Sequence, residues 1–380
     1  MQPSVPSHPQ PDAARGSVVL GVGSDAAHSA HEAAAHAAIA QQLADLLGYD
    51  FAGAYVPGRR YPGPVYFVPG DVLVGLEAAT ACGIGGAQDL FGGVVPARVL
   101  ASKAITHPLV EAPTRIPDGW SSTFPERVRH VVLPGFSAFA SADARRAGRV
   151  LLANGPVRIK PAHGKAGRGQ RVAATVEELD AVLADTDETA LARDGLVLET
   201  DLHDLTTWSV GQVRVGEHTI AYYGTQWLTR DNAGEVAYGG SSLRVHRGGF
   251  EALLRESLPA PVREAVGQAQ FYDEAARQCF PHMFASRRNY DVVQGVDHRG
   301  RAHAGVLESS WRIGGASGAE AAALLRLRDE PARRWLEVRV EERYGAEAAA
   351  PDGASVLFRG ADPVLGPLLK FTLVEDDDHA

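Results

Sequence analysis

Cysteine is nearly absent: Cys82 and Cys279 are the only two in 380 residues. That excludes a disulfide framework and a Cys-rich zinc or iron–sulfur centre, and it suits a reducing, cytoplasmic setting. No run approaches the roughly 18 apolar residues of a membrane span. An excess of basic residues is also missing, with 37 Lys and Arg against 46 Asp and Glu and a net charge of -9. A surface built for nucleic acid carries the opposite balance, so small-molecule chemistry is expected, with neither nucleic acid nor membrane as partner. The chain shows no internal repeat and no GxxxxGK[ST] spacing, so a Walker-type phosphate loop is not supported.

What is present is an ordinary apolar fraction of 45% in a chain long enough for two or three domains. Residues 1–16, rich in Pro and polar side chains, read as a loose tail, and the closing EDDDHA as a solvated acidic one. Between them SVVLGVGSDAAHSAHEAAAHAAIAQQLADLLG reads as strand, glycine turn and Ala-rich helix, capped by Ser24 or Asp25 and stopped by Gly48. Short strands at 51–56 and 65–68 and a helix in DVLVGLEAATACG continue the alternation. Residues 17–100 are therefore expected to form a small Rossmann-like domain. The stretch 89–135, interrupted by Gly and Pro, reads as a linker with short elements. Next come a helix in SADARRAGRVLLANG, a strand in PVRIKPA, a glycine loop, a strand in QRVAA, and a helix whose Thr175 and Glu178 have capping-box spacing. From residue 195 the pattern turns to antiparallel strands, broken by a helix at about 261–279. The expected class is α/β, with α+β character in the C-terminal part.

Two segments carry chemistry. In VRIKPAHGKAGRGQRV, residues 157–172, a strand places Arg158 and Lys160 on one face and runs into a loop with Gly164, Gly167 and Gly169, whose backbone can approach an anion closely. In GVLESSWRIGG, Glu308 and Ser310 lie two apart on a strand end and so share a face. A carboxylate with a neighbouring oxygen suits Mg²⁺, and Arg312 just beyond could neutralise a phosphoryl group.

Over roughly residues 100–320 these segments resemble the ATP-grasp superfamily, whose members couple ATP cleavage to joining a carboxylate with an amine or another nucleophile. Within it the whole chain looks like an uncharacterised bacterial family rather than any named ligase. The resemblance implies an ATP-grasp fold behind the small Rossmann-like domain. A central subdomain would span 101–195, a C-terminal subdomain 196–345, and an extension with the acidic tail 346–380. It also implies ATP and Mg²⁺ as cofactors, with Mn²⁺ as a substitute, a small carboxylate and a nucleophile as substrates, and room for a homodimer. Lys160 and the flap of His163, Gly164, Lys165, Gly167, Arg168 and Gly169 match the phosphate-covering strand and loop, and Lys103 matches an earlier family lysine. LVLETDL matches the adenine-contacting strand, with Glu199, Thr200, Asp201 and Leu202. Glu308 and Ser310 match the closing metal motif, with Arg312 and Lys160 as catalytic residues. The second acidic ligand would be Asp291, ahead of Asp297, which sits in a turn; Gln294 lies between them. Two positions depart from the pattern: Ser310 stands for an Asn, and Thr207 for a ribose-binding Glu.

Other readings are open. GVGSDA at 21–26 has the spacing of a weak dinucleotide fingerprint, but no acid closes the next strand, so a plain tight turn is the better reading and a nicotinamide-dependent oxidoreductase the weaker one. A nucleotide-binding protein that has lost turnover and a biotin-carboxylase-like enzyme both fit the resemblance. His28, His31 and His36 are expected on the polar side of the first helix rather than around a metal. Cys279 is expected as a packed thiol. The segment Tyr238, Gly239, Gly240, Ser241, Ser242 with Arg244 reads as a loop, either a wall for an acceptor substrate or plain surface.

Overall fold

The computed structural model describes residues 15–22, 29–164 and 169–375. Strand β1 (Ser17–Leu20), helix α1 (Ala30–Leu47), β2 (Asp50–Ala54) and β3 (Val65–Val68) form a three-stranded parallel sheet in the order β2-β1-β3. The helix lays Ala35, Ile39, Leu43 and Leu46 into the core at the three-to-four spacing of an amphipathic face. It stops at Gly48, which adopts a left-handed conformation (φ 69°) open to glycine at little cost. Its cap is Ser29, which shares a capping box with Glu32. Ser24, Asp25 and His28 lie outside the described residues, as does most of GVGSDA.

A second small sheet joins β4 (Leu73–Val74), which precedes α2 (Leu76–Ala81), to β5 (Gly93–Val95). The region expected as a linker holds only short elements and α3 (Thr123–Val128). It nonetheless buries Phe91, Leu100, Ala104, Ile105 and Phe124, so its apolar residues join the core.

A four-stranded antiparallel sheet follows, built from β6 (Gly135–Ala138), α4 (Ser141–Leu152), β7 (Val157–Pro161), β8 (Arg171–Ala173), α5 (Val176–Ala184), α6 (Glu188–Asp194) and β9 (Leu196–Thr200), in the order β6-β9-β7-β8. Ala144, Ala147 and Leu151 of α4 and Leu179 and Leu183 of α5 pack on Val157, Ile159, Leu196 and Leu198. Strand alternation sends Arg158, Lys160 and Glu199 to the other face. Thr175 caps α5 by accepting from the Glu178 N–H at 3.2 Å.

The remainder is one eight-stranded antiparallel sheet. Its strands are β10 (His203–Val215), β11 (His218–Arg230), β12 (Val236–Arg247), β14 (Arg287–Val296), β15 (Ala302–Ser310), β16 (Trp335–Tyr344), β17 (Ser355–Asp362) and β18 (Gly366–Glu375). They run in the order β15-β14-β10-β11-β12-β16-β18-β17. Helix α8 (Ala260–Cys279), reached through the short α7 (Phe250–Leu254), covers one face with Val262, Ala265, Val266 and Ala269 against Val210, Tyr290 and Val292. Helix α9 (Ser317–Asp329) and α1 cover the other, against Val213, Leu243 and Val338. The two-residue β13 (Phe284–Ala285) pairs with β5 and ties the N-terminal unit to this sheet.

Two findings differ from the sequence reading. The segment 238–244 is not a loop but lies within β12, paired with β11 and, from Gly240 on, with β16 as well, and Arg244 stacks on the Trp335 ring at 3.8 Å. A register shift at Gly239 and the paired glycines and serines hid the strand alternation there. His31 is buried: its backbone N–H and Nδ1 lie 3.1 and 3.0 Å from Asp362 Oδ2, so it docks the helix on β17 instead of facing water. Residues 355–375 extend the large sheet by two strands.

Candidate active site

The carboxylates meet on the outer strand pair of the large sheet. Asp291 of β14 is directly opposite Glu308 of β15, just before a bulge in the ladder. Opposed residues of an antiparallel pair share a face, so the two acids crowd one another. Burial first, then the Glu308 charge, pushes the Asp291 carboxyl up to about 7, although Lys103 and a hydrogen bond from Gln226 act against it. That bond runs from Gln226 Nε2 to Asp291 Oδ1 at 3.0 Å. Asp297 is elsewhere and differently employed. It is wholly buried and accepts from the Arg299 and Arg301 N–H groups at 2.9 and 3.0 Å and from Arg301 Nε at 2.8 Å. These bonds outweigh its burial and hold its carboxyl far below the usual range. It clasps the β14–β15 turn. Gln294 ties Trp208 to Glu264.

Lys103, in a 3₁₀ turn after β5, is buried and forms an ion pair with Glu308 Oε2 while donating to the Gly164 carbonyl at 2.9 Å. Chain segments 103, 164 and 308 are thus joined at one ammonium. Lys160 is paired instead with Glu199 across β7 and β9, and His107 Nε2 approaches the other carboxylate oxygen at 3.4 Å. Burial works against ionisation of Glu199, but the Lys160 charge and the His107 contact prevail and lower its carboxyl to about 2.

The remaining expected residues are distributed around these pairs. His163 lies 3.7 Å from Asp194; burial, assisted by Arg98 and Lys103, lowers its affinity for a proton against the Asp194 charge. Gly169 has φ 74°, while Lys165, Gly167 and Arg168 lie outside the described residues. Beyond Glu199, the Thr200 and Asp201 N–H groups donate to the Pro134 and Pro156 carbonyls at 3.0 Å each. Asp201 also pairs with Arg158 at 2.5 Å, and Leu202 is buried against Leu133 and Val293. Arg312 donates to the Ile313 carbonyl at 2.9 Å and faces Asp71 at 3.8 Å. Ser310 shares the face of Glu308, and its hydroxyl lies 3.4 Å from Arg287 Nη1. Thr207 opposes Val293 within the sheet.

The sequence reading missed Asp71, His107, Arg287, Asn289 and Glu320. A signal for two of them was available: in RRNYDVV Arg287 and Asn289 share with Asp291 the alternate positions to Arg288, Tyr290 and Val292, the period of a strand with one polar face. Starting the strand at Asp291 concealed it.

Two comparisons cover nearly the whole chain. Phosphoribosylamine–glycine ligase from Thermotoga maritima superposes with a TM-score of 0.52 at 12% identity, over 96% of this chain and 93% of that one. The biotin carboxylase domain of the Hydrogenobacter thermophilus 2-oxoglutarate carboxylase, solved with MgADP, ADP and bicarbonate, gives 0.51 at 15% identity, over 96% and 87%. The fold is that of the ATP-grasp superfamily. By sequence, the chain belongs to the family described as "Protein of unknown function (DUF3182)", whose model matches residues 19–372. No curated protein matches it.

Proposed function

We propose that this protein is an ATP-dependent ligase that activates a carboxylate as an acyl phosphate for attack by an amine or another nucleophile. The observation that supports this most is the meeting of Asp291, Glu308 and Lys103 at one point of the sheet face. Two carboxylates forced together, one of them titrating near neutrality, form a site short of positive charge. A hard divalent cation suits such oxygens and takes its other ligands from phosphates and water.

Asp291 and Glu308 would hold Mg²⁺, which when bound supplies charge neutralisation between phosphates and protein. Lys103 and Lys160 would bind phosphate oxygens, and the loop from His163 to Gly169 would cover them. Arg312, partly exposed beside Asp71, would stabilise the phosphoryl group as a substrate carboxylate oxygen attacks the γ-phosphorus and ADP departs. The nucleophile then displaces inorganic phosphate from the acyl phosphate. A binding protein without turnover is favoured by one observation: the Ser310 hydroxyl sits against a guanidinium rather than offering a committed metal ligand.

Thermal unfolding with excess Mg-ATP, beside ATP with EDTA, NAD and NADP, tests the reading. A native-state ligand at a hundredfold excess over Kd stabilises by about 2.7 kcal/mol. The expected outcome is a shift with Mg-ATP that shrinks with EDTA and in Glu308→Ala. A shift with NAD or NADP alone would refute it. ADP release across carboxylate and amine pools then separates the ligase from the binding protein.

A further inference from the structure

Asn289 faces Ser310 across the β14–β15 pair as Asp291 faces Glu308. Residues two apart on a strand share a face, so these four side chains form a quadrilateral on one side of the sheet. A hard cation between two carboxylates accepts neutral oxygens as further ligands, amide carbonyls among them. Two neutral oxygens are candidates, the Ser310 hydroxyl and Asn289 Oδ1.

The surroundings separate them. Arg287 Nη1 lies 3.4 Å from the Ser310 hydroxyl and donates to its carbonyl at 3.2 Å. A fixed positive charge there repels a cation. The Asn289 amide is aimed by a buried network. Arg287 Nε donates to both Glu320 oxygens at 2.8 and 3.1 Å, and the Tyr222 hydroxyl gives its proton to Glu320 at 2.5 Å. Its oxygen can therefore only accept from Asn289 Nδ2, at 3.1 Å, while Ser209 Oγ takes the other amide proton at 2.8 Å. Both N–H groups are thus turned into the sheet, and Oδ1 makes no hydrogen bond among the described residues. Gly211 permits this arrangement: a Cβ there would stand 2.3 Å from the Tyr222 ring and hydroxyl.

Resting on the proposed reading of the site, we infer that Asn289 Oδ1, and not the Ser310 hydroxyl, is the neutral oxygen ligand of the divalent cation held by Asp291 and Glu308. The amide ligand stands on β14, one strand away from the position at which the chain carries serine.

Mn²⁺ binding to the full chain, followed by electron paramagnetic resonance of the free ion with and without ATP, tests this without recourse to turnover. Asn289→Ala is expected to weaken Mn²⁺ at least about tenfold, the lower end of the loss seen when a residue supporting a metal is removed, and Ser310→Ala less than about threefold. Asn289→Asp, which keeps a ligand oxygen at position 289, is expected to bind Mn²⁺ at least as tightly as the wild type, a result that misfolding cannot produce. Wild-type affinity in Asn289→Ala overturns the inference, as does a tenfold loss in Ser310→Ala, which decides alone should the Asn289 variant fail to fold. A wild-type chain that binds no Mn²⁺ even with ATP removes the site reading itself. That outcome is distinct from a wild type that binds and an Asn289 variant that binds equally.

Discussion

The molecule holds two Lys–Glu pairs of the same chemistry in two different settings. In the four-stranded sheet Lys160 and Glu199 are 5% and 2% exposed, and His107 closes the carboxylate from its other side. At the edge of the eight-stranded sheet Lys103 is 8% exposed but its partner Glu308 is 30% exposed and shares its space with Asp291. The first pair is closed on itself, each charge neutralised by its neighbour. The second is one positive charge against two carboxylates, with water at hand. A buried, balanced pair loses one partner only at a large cost in stability, whereas an unbalanced one at a solvent edge is free to exchange partners. Hence Glu308, not Glu199, is the carboxylate proposed to take a cation.

Removing one member from the closed pair is the most severe test of that contrast. Lys160→Met leaves a carboxylate buried without its counter-charge, which costs about 3–5 kcal/mol when a buried pair is broken from one side. Urea unfolding without nucleotide should show this loss. A change below about 1 kcal/mol, the range of exposed pairs, would mean that water reaches Glu199 and that the two settings do not differ.

Acid probes the same pair more gently. Glu199 falls from an ordinary 4.5 to about 2 in the folded protein, so the native state binds that proton less readily than the unfolded chain. Its stabilisation is full above pH 4.5 and is lost as pH falls through about 2. The stability difference between wild type and Glu199→Gln should therefore be flat from about pH 5 to 8 and shrink below about 4.5. A difference that grew on acidification would reverse the assigned sign.

The fold was legible where one local rule governs an element. Gly48 ends α1 and Thr175 begins α5 as glycine conformation and side-chain capping require. Sheet pairing was less legible because partners lie far apart in sequence: Lys103 reaches Gly164 and Glu308, and Phe284 reaches Val94. Glu308 and Asp291 were visible as carboxylates on strands, but their register, which makes them a pair, was not. His107 and Glu320 went unread because an ionisable residue announces its partner only once both are buried. The β12 segment around Tyr238 was hidden by its glycines and serines, whose strand role comes from neighbours on both sides.

The open pair should respond least in stability and still matter for binding. Lys103→Met removes the charge opposite Glu308, but Glu308 keeps contact with water and Asp291, at about 7, can take up a proton rather than leave two unopposed charges. The expected loss in urea unfolding is below about 1 kcal/mol, the scale of a solvent-accessible ion pair. A phosphate contact made by a charged donor is worth about 1.5–3 kcal/mol, so Mg-ATP affinity should fall about tenfold or more in the same variant. Stability and affinity thus move apart for Lys103, while nucleotide-free stability collapses for Lys160. If Lys103→Met instead destabilised the free protein as strongly as Lys160→Met and left nucleotide binding intact, Lys103 would be structural, and the cation site would need a different counter-charge.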